Sequence, residues 1–260
     1  MIRTTDKLYI YLGLAGVVIF FIGLLIAGVI PPPSPSEGGG QIHSFLHNHT
    51  GGIRWGSIVA MFGITLLAPW MAVLSKLFSR IEGPSSPAAY CQMAMGALLI
   101  ISVILPFMML EVAVFRPDRP QAVTLALSDV CWILLLGIVY DYLIELFVSA
   151  AIIFRDKREH PVFPRWVAYF NILIAAMSAP DIFIVTTRKG PFAWNGLAGF
   201  WVAAVAFGGW VIAMSVVMIR ATNRQEDEPT DLSELERLSA EVAQLRQEVQ
   251  RAGPLPSVSV

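Results

Sequence analysis

Charge is what this sequence has least of: Asp, Glu, Lys and Arg make up only 14% of its 260 residues, where a soluble domain carries about a quarter. That scarcity excludes an ordinary water-soluble domain. The net charge of -1 and a pI near 6.4 leave no basic footprint, so nucleic acid is excluded as a partner. Cysteine is equally scarce. Cys91 and Cys131 fall near opposite ends of neighbouring apolar segments, which provides no disulfide framework and no indication of redox compartment. Four histidines are too few for the many-histidine pattern of membrane di-iron hydroxylases and desaturases. No Gly-x-Ser-x-Gly elbow, P-loop, GxGxxG, Cys-x-x-Cys or His-Glu-x-x-His occurs, so standard serine acyl transfer, nucleotide hydrolysis and dinucleotide chemistry lose support. No motif assigns a cofactor.

What is present is apolar residue in long runs: 56% of the chain is hydrophobic and the mean hydropathy is +0.66. Six runs, at 8–30, 53–78, 88–115, 123–154, 166–187 and 193–219, are long enough to cross roughly 30 Å of hydrocarbon at about 1.5 Å per residue. They predict an all-α, polytopic membrane bundle with six transmembrane helices. A β-barrel needs short alternating strands instead. The first run exceeds the roughly 7–15 residues of a signal-peptide core and is read as a span. Ten Lys and Arg flank one set of span ends and five (Arg54, Arg116, Arg119, Arg188 and Lys189) flank the other. The positive-inside rule then places both termini in the cytoplasm. Small residues on the first and last spans, among them Gly13, Gly16, Gly23, Ala27, Gly196, Gly199, Gly208 and Gly209, favour close helix approach in lipid. Phe192 and Trp194 in the loop before span 6 are expected as aromatic anchors at headgroup depth.

Composition changes after Arg220. The expected organisation is a transmembrane domain at 1–222, a linker at 223–230, a cytoplasmic coiled-coil-like helix at 231–252 and a disordered tail at 253–260. Leu235, Leu238, Val242, Leu245 and Val249 are spaced as an a/d seam, with Asp231 and Glu234 forming a capping-box-like start. The seam predicts a homo-oligomer or docking onto a membrane-complex partner, because anchoring in a bilayer raises the effective concentration of neighbouring tails.

Five acids interrupt the spans: Glu111, Asp129, Asp141, Glu145 and Asp181. A carboxylate in hydrocarbon costs several kcal/mol unless paired, protonated or wet, which makes each a candidate ligand-binding or proton-carrying residue. Glu111, Asp129 and Asp181 fall toward the arginine-poor side as an expected outer vestibule or as salt bridges tying helix ends. Asp141 and Glu145, four residues apart on one face of span 4, have no cation at their depth. Pro69, Pro106 and Pro180 are expected to kink spans 2, 3 and 5 by removing intrahelical hydrogen bonds. The kinks near Glu111 and Asp181 suggest an outward-facing pocket.

The remaining cluster is His43, His47 and His49. In a helix the first two share a face at i, i+4, a spacing that can ligate a transition metal if an acid such as Glu111, Asp129 or Asp181 completes the site. Hydrogen-bonding loop histidines are the other reading.

Four stretches resemble a bacterial six-span membrane protein family, of actinobacteria and proteobacteria, to which no function is assigned. They are IPPPSPS at 30–36, IEGPSSP at 81–87 with AYCQ at 89–92, VFPRW at 162–166 with YFN at 169–171, and GPFAWNG at 190–196. The resemblance covers most of the bundle but not the tail or the histidines. It implies a six-span fold in the bacterial inner membrane and directs attention to lipid-like ligands.

Two functional readings follow. One is a non-enzymatic membrane protein, a binding, transport or accessory subunit that handles an apolar or lipid-like small molecule and contacts membrane lipids. The alternative is a membrane-embedded enzyme acting on a lipid, sterol or hydrocarbon through Asp141 and Glu145 or a histidine-held metal.

Overall fold

The structure, a computed structural model, describes residues 2–83, 85–227 and 238–246. Among the described residues it is all-α. Six helical stretches are long and apolar enough to cross a membrane: Thr4–Ala27, Thr50–Glu82, Pro87–Phe115, Gln121–Arg155, Trp166–Phe183 and Leu197–Arg224. Val18, Leu25, Phe62, Leu98, Phe147, Leu173 and Val205 are exposed, whereas Gln92, Glu145 and Asn171 are fully buried. An apolar exterior around a polar interior is stable where the surrounding solvent is hydrocarbon.

Helix α1 (Ile2–Ala27) ends sooner than its hydropathy does. Gly28 takes φ +66°, and the Gly28 and Val29 N–H groups donate to Leu25 O and Leu24 O, the pairing of a Schellman cap. Val29 and Leu24 are both buried there, supplying the apolar contact that accompanies such caps. The chain then runs through a short amphipathic helix, α2 (Gly39–Asn48), with Ile42 and Leu46 buried beneath it.

Span 2 is two helices, α3 (Thr50–Thr65) and α4 (Leu67–Glu82), divided at Leu66. Pro69 accounts for the division, since its missing N–H and its ring disrupt pairing with Thr65 four residues earlier. The first span packs extensively on this one. Gly16 and Gly23 meet Gly56, Ala60 and Gly63 so closely that a Cβ on any of the four glycines would lie 2.3–2.5 Å from the opposite backbone. The small residues of α1 therefore serve contact with span 2, while Gly209 of the last span faces open space.

Helix α5 (Pro87–Phe115) begins at a strong start signal: Ser86 Oγ accepts from Ala89 N–H, and Pro87 stands at the first turn. It packs against α3, α4 and both halves of span 4. Helix α5 continues through Pro106. Span 4, which lacks proline, also breaks, into α6 (Gln121–Gly137) and α7 (Tyr140–Arg155), with Ile138 and Val139 between them. Span 5 behaves as Pro180 predicts: α8 (Trp166–Ser178) tightens into a 3₁₀ turn, Ala179–Phe183. Span 6 opens with a π-helical turn, Leu197–Val202, and continues as α9 (Ala203–Asp227).

Polar contacts tie the bundle at both ends. At the end holding the N-terminus, Lys76 Nζ donates to Asp6 Oδ2 (2.6 Å) and Arg155 Nη1 to Glu82 Oε1 (3.1 Å). Asp156 is encircled there by Arg158 Nε (2.8 Å), Arg158 Nη2 (2.7 Å) and Val162 N–H (2.9 Å). At the far end, Arg54 Nη2 donates to the terminal carbonyls of α5, Val114 O (3.2 Å) and Phe115 O (3.4 Å). Trp194 corrects the anchor expectation. It is buried, and its Nε1 donates to Pro33 O at 2.8 Å, so it fastens the first loop rather than reaching lipid. Phe192 alone of that pair is exposed.

The chain divides into two compact units, 1–221 and 222–260. In the second, α10 (238–246) is helical and exposes Leu238, Val242 and Leu245. Leu235 and Val249 of the seam, Asp231 and Glu234 of its cap, and the 253–260 tail lie outside the described residues.

Candidate functional site

Two cavities are built from the residues that the sequence singles out. The first, of about 120 Å³, is a partly open cleft between α1, α5, span 4, the 3₁₀ turn and α9. Its wall is mostly aromatic and aliphatic: Phe20, Phe21, Leu24, Leu99, Phe200 and Phe207. Into it come the polar groups of Ser102, Asp141, Tyr142, Ser178 and Asp181.

The breaks in the spans create this opening. Asp141 stands in the first turn of α7, next to the Ile138–Val139 interruption, and its Oδ1 accepts from Tyr142 N–H at 2.8 Å. A carboxyl at a helix N-terminus is favourably placed relative to the helix dipole. Asp181 sits in the 3₁₀ turn that Pro180 starts. Pro106 contributes too, since a proline leaves the carbonyl four residues earlier unpaired, and that residue is Ser102 on the cavity wall. Four buried oxygens on this wall have no hydrogen-bond partner: Asp141 Oδ2, Asp181 Oδ1, Tyr142 Oη and Ser178 Oγ. Left unpartnered, buried groups of this kind cost on the order of 1–3 kcal/mol each. A ligand carrying matching polar atoms would recover part of that cost.

Glu145 belongs to a different environment. It is fully buried one turn further along α7, and its Oε1 accepts from Gln92 Nε2 at 3.0 Å. Gln92 Oε1 in turn accepts from Ser75 Oγ, which also donates to Ala89 O (2.9 Å). The carboxyl pair of span 4 is thus divided: Asp141 lines the cavity and Glu145 links α7 to α5 and α4. A second buried group surrounds Trp210, which donates to Asn171 Oδ1 (2.9 Å) and packs edge-on against Trp70 and Tyr142. Trp70 Nε1 closes this arrangement on Ser215 Oγ (2.8 Å). Gln92 and Asn171 stand in the AYCQ and YFN stretches, but only the packing shows which groups they pair with.

The other two acids are half-buried and are not among the residues of the cavity wall. Glu111 interacts electrostatically with Arg54, and Asp129 with Arg188. Neither lines the cavity, so the structure does not bring Glu111 and Asp181 into one outward pocket; Asp181 faces inward with Asp141.

The histidines separate as well. His43 and His47 lie on one face of α2 with parallel rings 6.3 Å apart. His49 turns away: its Nδ1 pairs with Phe45 O at 2.8 Å, and its ring rests on Gly28. Among the described residues, no group of three or more His, Cys, Asp and Glu side chains is arranged to hold a metal ion. His43 and His47 instead line a second cavity at the far end of the bundle.

No protein-family model, curated protein or solved structure matches this chain. The six-helix architecture and its cavities, rather than a shared family, carry the functional argument.

Proposed function

We propose that this chain is a non-enzymatic protein of the bacterial inner membrane, with both termini cytoplasmic, that binds an apolar or lipid-like small molecule in the first cavity. One observation carries the reading. A cavity walled by aromatic and aliphatic side chains presents two carboxyl groups, Asp141 and Asp181, each with an unpartnered oxygen. At about 120 Å³, it approaches the roughly 150 Å³ of an apolar cavity that accepts benzene, so it suits a ring or the polar end of an amphipathic molecule rather than a whole sterol. Binding, transport or service as an accessory subunit suits a cavity with a single set of polar contacts. Through its C-terminal helix the chain forms a homo-oligomer, a role supported by the exposed Leu238, Val242 and Leu245 on α10.

The test is native mass spectrometry of protein extracted in mild detergent, together with photo-crosslinking to an amphipathic probe bearing a hydroxyl. Ala204, on the cavity wall, is the handle. Ala204→Trp fills the space and is expected to abolish retention and labelling without lowering the melting temperature by more than a few degrees. Asp141→Val is expected to weaken the hydroxylated probe more than its deoxy analogue. Labelling that survives Ala204→Trp, or maps away from Phe20, Phe207 and their neighbours, contradicts the proposal.

A further inference from the structure

The cavity at the far end of the bundle, of about 180 Å³, shares no residue with the first one. Its polar lining is His43 and His47 from α2, Thr50 and Arg54 from α3, Arg116 just after α5, and Thr124 from α6. Neither Asp nor Glu is among its lining residues. Glu111, which interacts electrostatically with Arg54, and Asp118, two residues beyond Arg116, are not part of the wall.

Local structure holds these groups in place. Ile42 and Leu46 are buried, which seats α2 and turns His43 and His47 to the cavity. His43 Nδ1 pairs with Thr124 Oγ1 (3.4 Å), and Thr50 Oγ1 donates back to Leu46 O and His47 O. Arg54 uses one Nη on the end of α5, which fixes its guanidinium at the cavity, and an arginine has five N–H donors. Two guanidinium groups, with the imidazoles of His43 and His47 beside them, form a donor-rich recess. Such a set repels a metal cation and matches the oxygens of a phosphate group.

Its surroundings define the depth. Trp55 and Phe115, the chain neighbours of Arg54 and Arg116, are 69% and 68% exposed. Exposed aromatics beside arginines at the end of a membrane bundle are the arrangement found at headgroup level, where lipid phosphates lie. We propose that this recess binds a phosphate ester, held by Arg54 and Arg116 with His43 and His47 as further donors. A lipid headgroup and a soluble phosphate share this chemistry.

The full chain in a phosphate-free maltoside detergent is titrated with dioctanoyl phosphatidylglycerol and, separately, with dioctanoylglycerol, and binding is read by native mass spectrometry. Saturable binding of the phospholipid is expected, with little of the diacylglycerol. Arg116→Gln/His47→Gln spares the capping role of Arg54 and is expected to weaken the phospholipid at least ten-fold, about the effect of losing one charge-assisted contact. Arg116→Lys, which retains a cation, is expected to stay within about three-fold of the parent, and it separates loss of the site from loss of the fold. Competition by inorganic phosphate assigns the site to soluble phosphates, and its absence assigns it to lipid headgroups; both support phosphate recognition. Equal binding of the diacylglycerol, an unchanged affinity in the double variant, or displacement of the phospholipid by one equivalent of zinc overturns the proposal. None of these outcomes bears on the first cavity, so the two sites are tested independently.

Discussion

Replacing Gly56 with alanine isolates the close approach of α1 and α3. A Cβ at this position would stand 2.3 Å from Ala27 N, 2.5 Å from Gly23 O and 2.6 Å from Ala27 Cβ, whereas ordinary contacts begin at 3.4 Å. The first two obstacles are backbone atoms inside helices, so no side-chain rotation relieves them. The two helices must move apart by about 1 Å, and a gap of that order forfeits a quarter to a half of each atom pair's dispersion well of roughly 0.1–0.2 kcal/mol. In lipid no hydrophobic effect offsets the loss, because packing itself drives the association. Overpacking of this kind costs about 1–3 kcal/mol. Gly209 supplies the control: it lies within α9 with nothing within 4 Å of an added Cβ, so alanine there is neutral or stabilises by up to about 1 kcal/mol through helix propensity. Reversible unfolding in dodecyl sulfate, followed by circular dichroism, should separate the two variants by about 1–4 kcal/mol. If Gly56→Ala and Gly209→Ala unfold together, the close glycine contact is not what holds the first two spans.

Asp156 carries a pH signature outside the membrane spans. Burial alone would raise its carboxyl, but the Arg158 side chain and the Val162 and Arg158 N–H groups outweigh burial and hold it below the ordinary carboxylate value. The sign follows: its stabilisation is complete above the unfolded value near 3.9 and is lost as pH falls through the lower folded value. Melting temperatures of the parent and Asp156→Asn should therefore differ at neutral pH and converge in acid; a gap independent of pH contradicts the assignment. Asn171→Leu removes the acceptor of a fully buried Trp210 N–H and is expected to cost about 1–3 kcal/mol, with little further loss when Trp210→Phe is added. That near-equality checks the pairing, since additive losses would deny it. For the C-terminal helix, Val242→Cys in a Cys91→Ala/Cys131→Ala background should yield an oxidised dimer in membranes. Exclusively monomeric chains under oxidation refute self-association through this face.

The sequence by itself determined the solvent, the helix count and two of the interruptions. Hydropathy accumulates residue by residue along a span, and Pro69 and Pro180 act on the backbone within one turn, so both signals are local. It also singled out the five acids, because a carboxylate in hydrocarbon is anomalous wherever it points. Tertiary structure alone decided their partnerships. Span 4 breaks at Ile138–Val139 without a proline while α5 continues through Pro106, as packing among several helices overrides the local preference of one. Asp141 and Glu145, one turn apart, meet different residues of α5: Gln92 donates to Glu145, and Ser102 stands beside Asp141 on the cavity wall. The histidines became part of an arginine-lined recess, with His49 set apart against Gly28, because α2 folds back across the bundle end. Which residues meet across such distances in the chain depends on how the helices pack, and that is not written in any single span.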